Sequence, residues 1–148
     1  MNPDQILALF EQQGPDAFSA MLCQLAPYFA TINPVMTALA PNRAEARLPF
    51  RREVTNHIGT VHAIAMCNLA ELVAGTMTNI SVPAGARWIP RGMTVEYVAK
   101  ARGDLIGVAS GDGIDWSVDG DPVVPVTVHD AEGTLVFTAA ITMNVKHG

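Results

Sequence analysis

Asn56-His57-Ile58-Gly59-Thr60-Val61-His62-Ala63-Ile64-Ala65-Met66-Cys67-Asn68-Leu69-Ala70-Glu71-Leu72-Val73-Ala74-Gly75 decides how the rest of the chain must fold. The polar residues and glycine at its start read as a turn, and the run that follows predicts a helix from about Thr60 to Val73. Only His62, Asn68 and Glu71 interrupt its apolar character after Thr60. A helix that is apolar nearly all round must be covered on most sides. A carboxylate within it is costly unless it has a partner or a chemical task.

What surrounds this helix follows from the pattern on either side. Upstream, Val35–Leu39 and Ala44–Phe50 flank the turn Pro41-Asn42-Arg43, and Ala44, Ala46, Leu48 and Phe50 alternate with polar residues. That is a strand hairpin with one buried face. Downstream, strand signals recur at Met93–Tyr97, Leu105–Ala109 and Val123–His129, and the longest alternation runs from Leu135 to Val145. Turns this short make consecutive strands antiparallel. Farther upstream, Asn2-Pro3-Asp4-Gln5 is a helix start with a capping residue, and Pro15-Asp16 restarts a second short helix after Gly14. The expected architecture is α+β: a curved antiparallel sheet of about six strands wrapped around one long helix, with N-terminal helices outside. The long last strand is expected to offer an edge for a second copy, which makes a homodimer the expected assembly.

The totals narrow the function. The chain has 148 residues, 49% of them hydrophobic and 16% charged, enough for one core and one domain. We divide it into an N-terminal helical segment over residues 1–30 and a core over 31–146. The net charge of −5 disfavours nucleic acid as a partner, although Arg87, Arg91, Lys100 and Arg102 gather four of nine cations within sixteen residues. No apolar run reads as a membrane span, and Met1-Asn2-Pro3-Asp4 lacks a signal-peptide pattern, so the expected location is cytoplasmic. Cys23 and Cys67 have no metal-ligand spacing and read as reduced thiols. Asp115-Trp116-Ser117-Val118-Asp119-Gly120 matches the first half of a calcium loop, but its twelfth position is Val126, so it reads as a polar hairpin loop and no metal is expected.

Chemistry is most plausible at the helix. Eleven positions separate Thr60 from Glu71, which puts them about 20° apart on a helical wheel, whereas His62 falls on the opposite side. One helix therefore does not pair His62 with Glu71, and a second segment or subunit is needed if both act on one substrate. Gly59 permits a turn, Thr60 can cap, and the first N–H groups near Val61, His62 and Ala63 are expected to be free to receive a carbonyl oxygen. A polarised carbonyl beside a carboxylate and Asn56 suits acyl transfer to water. Each residue also has a plain structural use: Glu71 can reach solvent or an arginine, and Asn56 and His57 can simply hold a turn.

The residues Asn56-His57-Ile58-Gly59-Thr60-Val61-His62, followed by Leu69-Ala70-Glu71, resemble the signature of the PaaI-like thioesterases, N-x-x-G-T-x-H-G-G and then an acidic residue in the helix. Together with the element order and the Gly103-Asp104-Leu105 turn, they make the chain similar to the hotdog-fold thioesterase superfamily, in an uncharacterised branch. The resemblance implies an acyl-CoA thioesterase acting on an acyl- or aroyl-coenzyme A at a dimer interface. It implies Glu71 as the catalytic carboxylate, Asn56 orienting water or substrate, and His62 positioning the thioester. The backbone over Gly59, Thr60, Val61 and Ala63 would bind the carbonyl, and Arg87, Arg91, Lys100 and Arg102 the coenzyme A phosphates. No cofactor is implied beyond the coenzyme A of the substrate, and dimers can pair into tetramers. The departure is Ala63-Ile64 in place of Gly-Gly. The alternative is a hotdog protein that binds an acyl-CoA or another apolar ligand without turning it over.

Overall fold

The computed structural model describes all 148 residues. Helix α1 (Pro3–Leu25) opens with a complete capping box between Asn2 and Gln5 and breaks at Gly14, so it is two helical segments in line. A 3-10 turn, Pro27–Ile32, leads into the hairpin β1 (Val35–Ala40) and β2 (Arg43–Leu48). Then come the central helix α2 (Ala63–Ser81) and four strands, β3 (Arg87–Tyr97), β4 (Leu105–Ser110), β5 (Val123–Asp130) and β6 (Leu135–Lys146). The order predicted from the pattern is the order observed. All six strands form one antiparallel sheet, β1-β2-β4-β5-β6-β3.

Helix α2 packs against every strand, and 32 buried hydrophobic residues form a single cluster between helix and sheet. The alternation of β4, β5 and β6 puts one face of each strand into that cluster. The helix comes closest at Gly107, where a Cβ would lie 2.9 Å from Leu69 Cγ. Only a glycine in β4 lets the helix seat at that depth. By length and composition α2 could cross a membrane, contrary to the reading that no run approaches a span, but twelve of its residues are buried by this sheet and its N-terminal cover.

Two expectations are corrected. Helix α2 starts at Ala63 and runs to Ser81, three residues later and eight residues farther than the apolar run suggested. The turn before it is held by its own hydrogen bonds up to His62, and Thr76 and Thr78 are buried within the helix, so polar residues did not end it. The last strand is no edge: β6 lies between β5 and β3. The edges are β1 and β3. The β1 edge is covered by α1, whose Ser19 Oγ accepts from the Met36 N–H at 2.8 Å. β3 pairs only with β6, and its other side is open over eleven residues.

Candidate functional site

The turn before α2 is built by one side chain. Asn56 Oδ1 accepts from the N–H groups of Ile58 and Thr60, both at 3.1 Å, and Asn56 Nδ2 donates to Thr60 Oγ1 at 2.8 Å. The Asn56 N–H donates to the Thr60 carbonyl at 2.8 Å, closing the loop, and Gly59 takes a φ of +82°. Asn56 is thus bound up in holding the loop, the structural use open to it. Thr60 is buried and does not cap the helix. The cap is His62, whose Nδ1 accepts from the Ile64 N–H at 3.0 Å. That bond leaves Nδ1 without a proton, so a neutral His62 carries its proton on Nε2.

The expected row of free N–H groups shrinks to one. The Val61 N–H donates to the Ala101 carbonyl and the His62 N–H to the Val54 carbonyl, each at 2.8 Å. Ile64 is capped, which leaves the Ala63 N–H as the donor at the helix start with no partner. It borders a hollow of ≈ 330 Å³ formed with Asn56, Ile58, Thr60, Met66, Tyr97 and Lys100 among others. Gly59 is exposed on the turn, and Val61 is buried on its sheet side.

Because His62 precedes the first helical residue, the wheel does not place it opposite Glu71. It lies in a separate hollow with Tyr28, Glu53 and Asn68. Glu71 lines a third, apolar hollow of ≈ 280 Å³ between α1, α2 and the start of β3. It is half-buried and has no hydrogen bond or ion pair within the chain. Asn56, His62 and Glu71 therefore do not converge within one copy.

The sequence placed Ile64, Cys67 and Asn68 near the Glu71 stripe, and the structure adds Ala63, Gly75 and Asn79 to the row that runs through Cys67 and Glu71. Ala63, Cys67, Glu71, Gly75 and Asn79 follow one another at intervals of four residues, a row that winds about 40° around the helix at each step, so Cys67, Glu71 and Gly75 are neighbours on its surface. Ala63, Cys67 and Glu71 are half-covered, Gly75 is buried and Asn79 is exposed. The row borders β3: Tyr97 lies near Cys67, and Trp88 packs on Gly75. Burial pushes the Cys67 thiol up, and Tyr97 opposes that in smaller measure. The row was legible in the sequence as residues every fourth position, whatever the exact start of the helix.

The open side of β3 carries exposed apolar groups, Ile89 at 62%, Met93 at 39% and Tyr97 at 57%. Its cations divide. Arg91 pairs with Asp121 at 3.2 Å. Arg87 stands opposite Lys146 on β6, a cation not singled out from the sequence. Lys100 borders the Ala63 hollow, and Arg102 is exposed just beyond it.

A six-stranded antiparallel sheet wrapped on one helix is the hotdog fold, which the chain shares with solved structures described as thioesterases. The chain belongs to the family described as a domain of unknown function, DUF4442, which matches residues 14–145. A structural-genomics crystal structure is 57% identical, with a TM-score of 0.90 and 99% of each chain covered. A Pseudomonas aeruginosa protein of unknown function, described as a probable thioesterase, is 21% identical with a TM-score of 0.73, over 82% of this chain and 88% of that one. A Streptococcus mutans protein bound to acetyl-CoA is 18% identical with a TM-score of 0.66, over 76% of this chain and 87% of that one. None of the functionally curated proteins matches the sequence.

Proposed function

We propose that the protein is a homodimeric thioesterase that hydrolyses an acyl- or aroyl-coenzyme A at two equivalent sites, each built from both subunits. The observation that carries this reading is the row on α2. Ala63 with its free N–H and Glu71 with its free carboxylate lie eight residues apart, about 12 Å along the axis and about 80° around it, with Cys67 midway between them. That is too far for both to serve one carbonyl. A two-fold axis near Cys67 sets Ala63 of each copy opposite Glu71 of the other.

The free edge supports the same axis. Trp88 borders the Glu71 hollow near the start of β3, and Tyr97 borders the Ala63 hollow at its end. Antiparallel pairing of two β3 edges brings the start of one strand to the end of the other, and so brings the two hollows together. It also covers the exposed Ile89, Met93 and Tyr97. Lys100 and Arg102 of one copy then approach the Arg87 and Lys146 of the second, a basic cluster suited to the phosphates of coenzyme A. Arg91 is held by Asp121 and contributes least.

In this site the Glu71 carboxylate takes a proton from water as the water oxygen attacks the thioester carbon. The carbonyl oxygen gains charge and is held by the Ala63 N–H at the positive end of α2. The tetrahedral intermediate collapses, the C–S bond breaks, the sulfur takes up a proton, and a carboxylic acid and free coenzyme A leave. Asn56 acts by holding the turn that aims the Ala63 N–H, and His62 by capping the helix.

The test is thiol release from a panel of acyl- and aroyl-CoA substrates. Wild type should turn over at least one of them, and Glu71→Gln should lower kcat by about 100-fold or more with the thermal midpoint unchanged. An active wild type whose Glu71→Gln variant keeps full rate contradicts the assignment. The runner-up is a non-catalytic acyl-CoA binder, favoured by the single free N–H where two donors would make a stronger oxyanion site. Ligand-induced stabilisation with no turnover on any thioester would select it.

A further inference from the structure

We propose that Trp88 sets the length of acyl chain that the protein accepts, with α1 as the roof of the chain's channel. This deepens the thioesterase reading and rests on it for the position of the thioester.

The hollow beside Glu71 is apolar. Ile6, Leu22 and Leu25 of α1 and Phe29 of the 3-10 turn cover it, and Leu72, Gly75 and Thr76 of α2 form its floor. Glu71 is its one charged group. Its remaining amide, Asn79, has its oxygen committed to the Trp88 indole N–H at 3.0 Å. Such a lining is mostly apolar and suits hydrocarbon, with Glu71, the Thr76 hydroxyl and the Asn79 amide nitrogen as its few uncommitted polar groups.

Trp88 stands across the path. The indole lies over Gly75, where a Cβ would come within 3.1 Å of Cη2, and its N–H is pinned to Asn79. Gly75 and Asn79 are one and two turns beyond Glu71, about 6 and 12 Å along the axis. A chain that starts with its carbonyl beside Glu71 and runs along α2 therefore meets the indole within those two turns. Gly75 gives the ring its seat, and the Asn79 bond stops it from swinging aside. The ring ends the channel, and the substrates are short- to medium-chain acyl groups.

The experiment compares kcat/KM for straight-chain acyl-CoAs of increasing length in wild type, Trp88→Ala, Trp88→Leu and Trp88→Phe. Circular dichroism and gel filtration confirm that each variant is folded and associated. Trp88→Ala should shift the preferred length to longer chains and raise the long-to-short ratio of kcat/KM by at least tenfold. Trp88→Leu should shift it partway, and Trp88→Phe least. An unchanged length profile in folded Trp88→Ala and Trp88→Leu overturns the proposal while leaving the thioesterase reading in place. If wild type cleaves no thioester, that reading falls, and the channel is judged by binding. Free fatty acids of the same lengths should then quench the Trp88 fluorescence of wild type, read as the difference from Trp88→Phe. They should bind Trp88→Ala at longer lengths than wild type. Absence of both effects overturns the channel as well.

Discussion

Glu71 is half-buried on a helix whose other charged neighbours are absent, and no group of its own chain answers it. At this scale the contrast with Asn56 is instructive. Both were candidates for chemistry from the sequence, yet Asn56 spends its side chain on Ile58 and Thr60 while Glu71 spends nothing. Asn56→Ala removes three hydrogen bonds and should destabilise the protein by about 1–3 kcal/mol, measured by denaturant unfolding. Its activity should fall in step with the loss of the turn, and Asn56→Asp, which keeps the acceptor, should retain more of both. Ala63 allows a cleaner cut. It is the first residue of α2, and His62 before it has φ −64° and ψ 137°, a conformation compatible with a following proline. Ala63→Pro deletes only the free N–H. It should lower kcat by about 10²–10³-fold while leaving the thermal midpoint within a few degrees. Full activity in this variant would remove Ala63 from the oxyanion role.

At the scale of elements, strand order and helix position were readable because their alternation and apolar runs are long. The boundaries of α2 were not, because its start is set by an asparagine-held turn and a histidine cap rather than by the expected Thr60 cap. Those three residues of offset led to a wheel that included His62, the cap that precedes the first helical residue. The edge strand was missed for a related reason: sequence order does not give sheet order, and β3 crosses to the far side of β6. The loop between β4 and β5 supplies a further test at this scale. Asp119 accepts from the His147 N–H at 2.7 Å and lies 2.8 Å from its Nδ1, while Asp121 accepts from Asn144 and pairs with Arg91. The His147 side chain and then its backbone N–H hold Asp119 below its ordinary range, and Asn144, then Arg91, do the same for Asp121. Depressed carboxylates stabilise the folded loop above their unfolded values near about pH 4 and lose that contribution as pH falls through the folded ones. The Gly120–Val145 bridge should therefore lose amide protection in acid before the sheet does. Asp119→Asn should show a smaller acid-triggered step, the remainder coming from Asp121. An identical acid profile in both proteins would contradict the coupling.

At the scale of the whole molecule, the proposed reaction needs Ala63 and Glu71 together, and one copy sets them in two separate hollows. The proposed partner answers both helix and sheet: Ala63 and Glu71, the groups assigned to the reaction, stand about 12 Å apart along α2, and β3 has no neighbour on its outer side. The sequence carried the need for a second copy through the wheel, although by way of His62 and not of Ala63. The most direct test mixes two inactive proteins. Glu71→Gln lacks the base and keeps the N–H, whereas Ala63→Pro lacks the N–H and keeps the base. Subunit exchange, followed by native mass spectrometry, produces mixed dimers in which one site unites both intact groups. Activity should return on mixing, toward about one quarter of the wild-type rate at equal amounts, because half of the dimers are mixed and each has one complete site. Mixed dimers that form and stay as inactive as their parents would contradict a site shared between subunits.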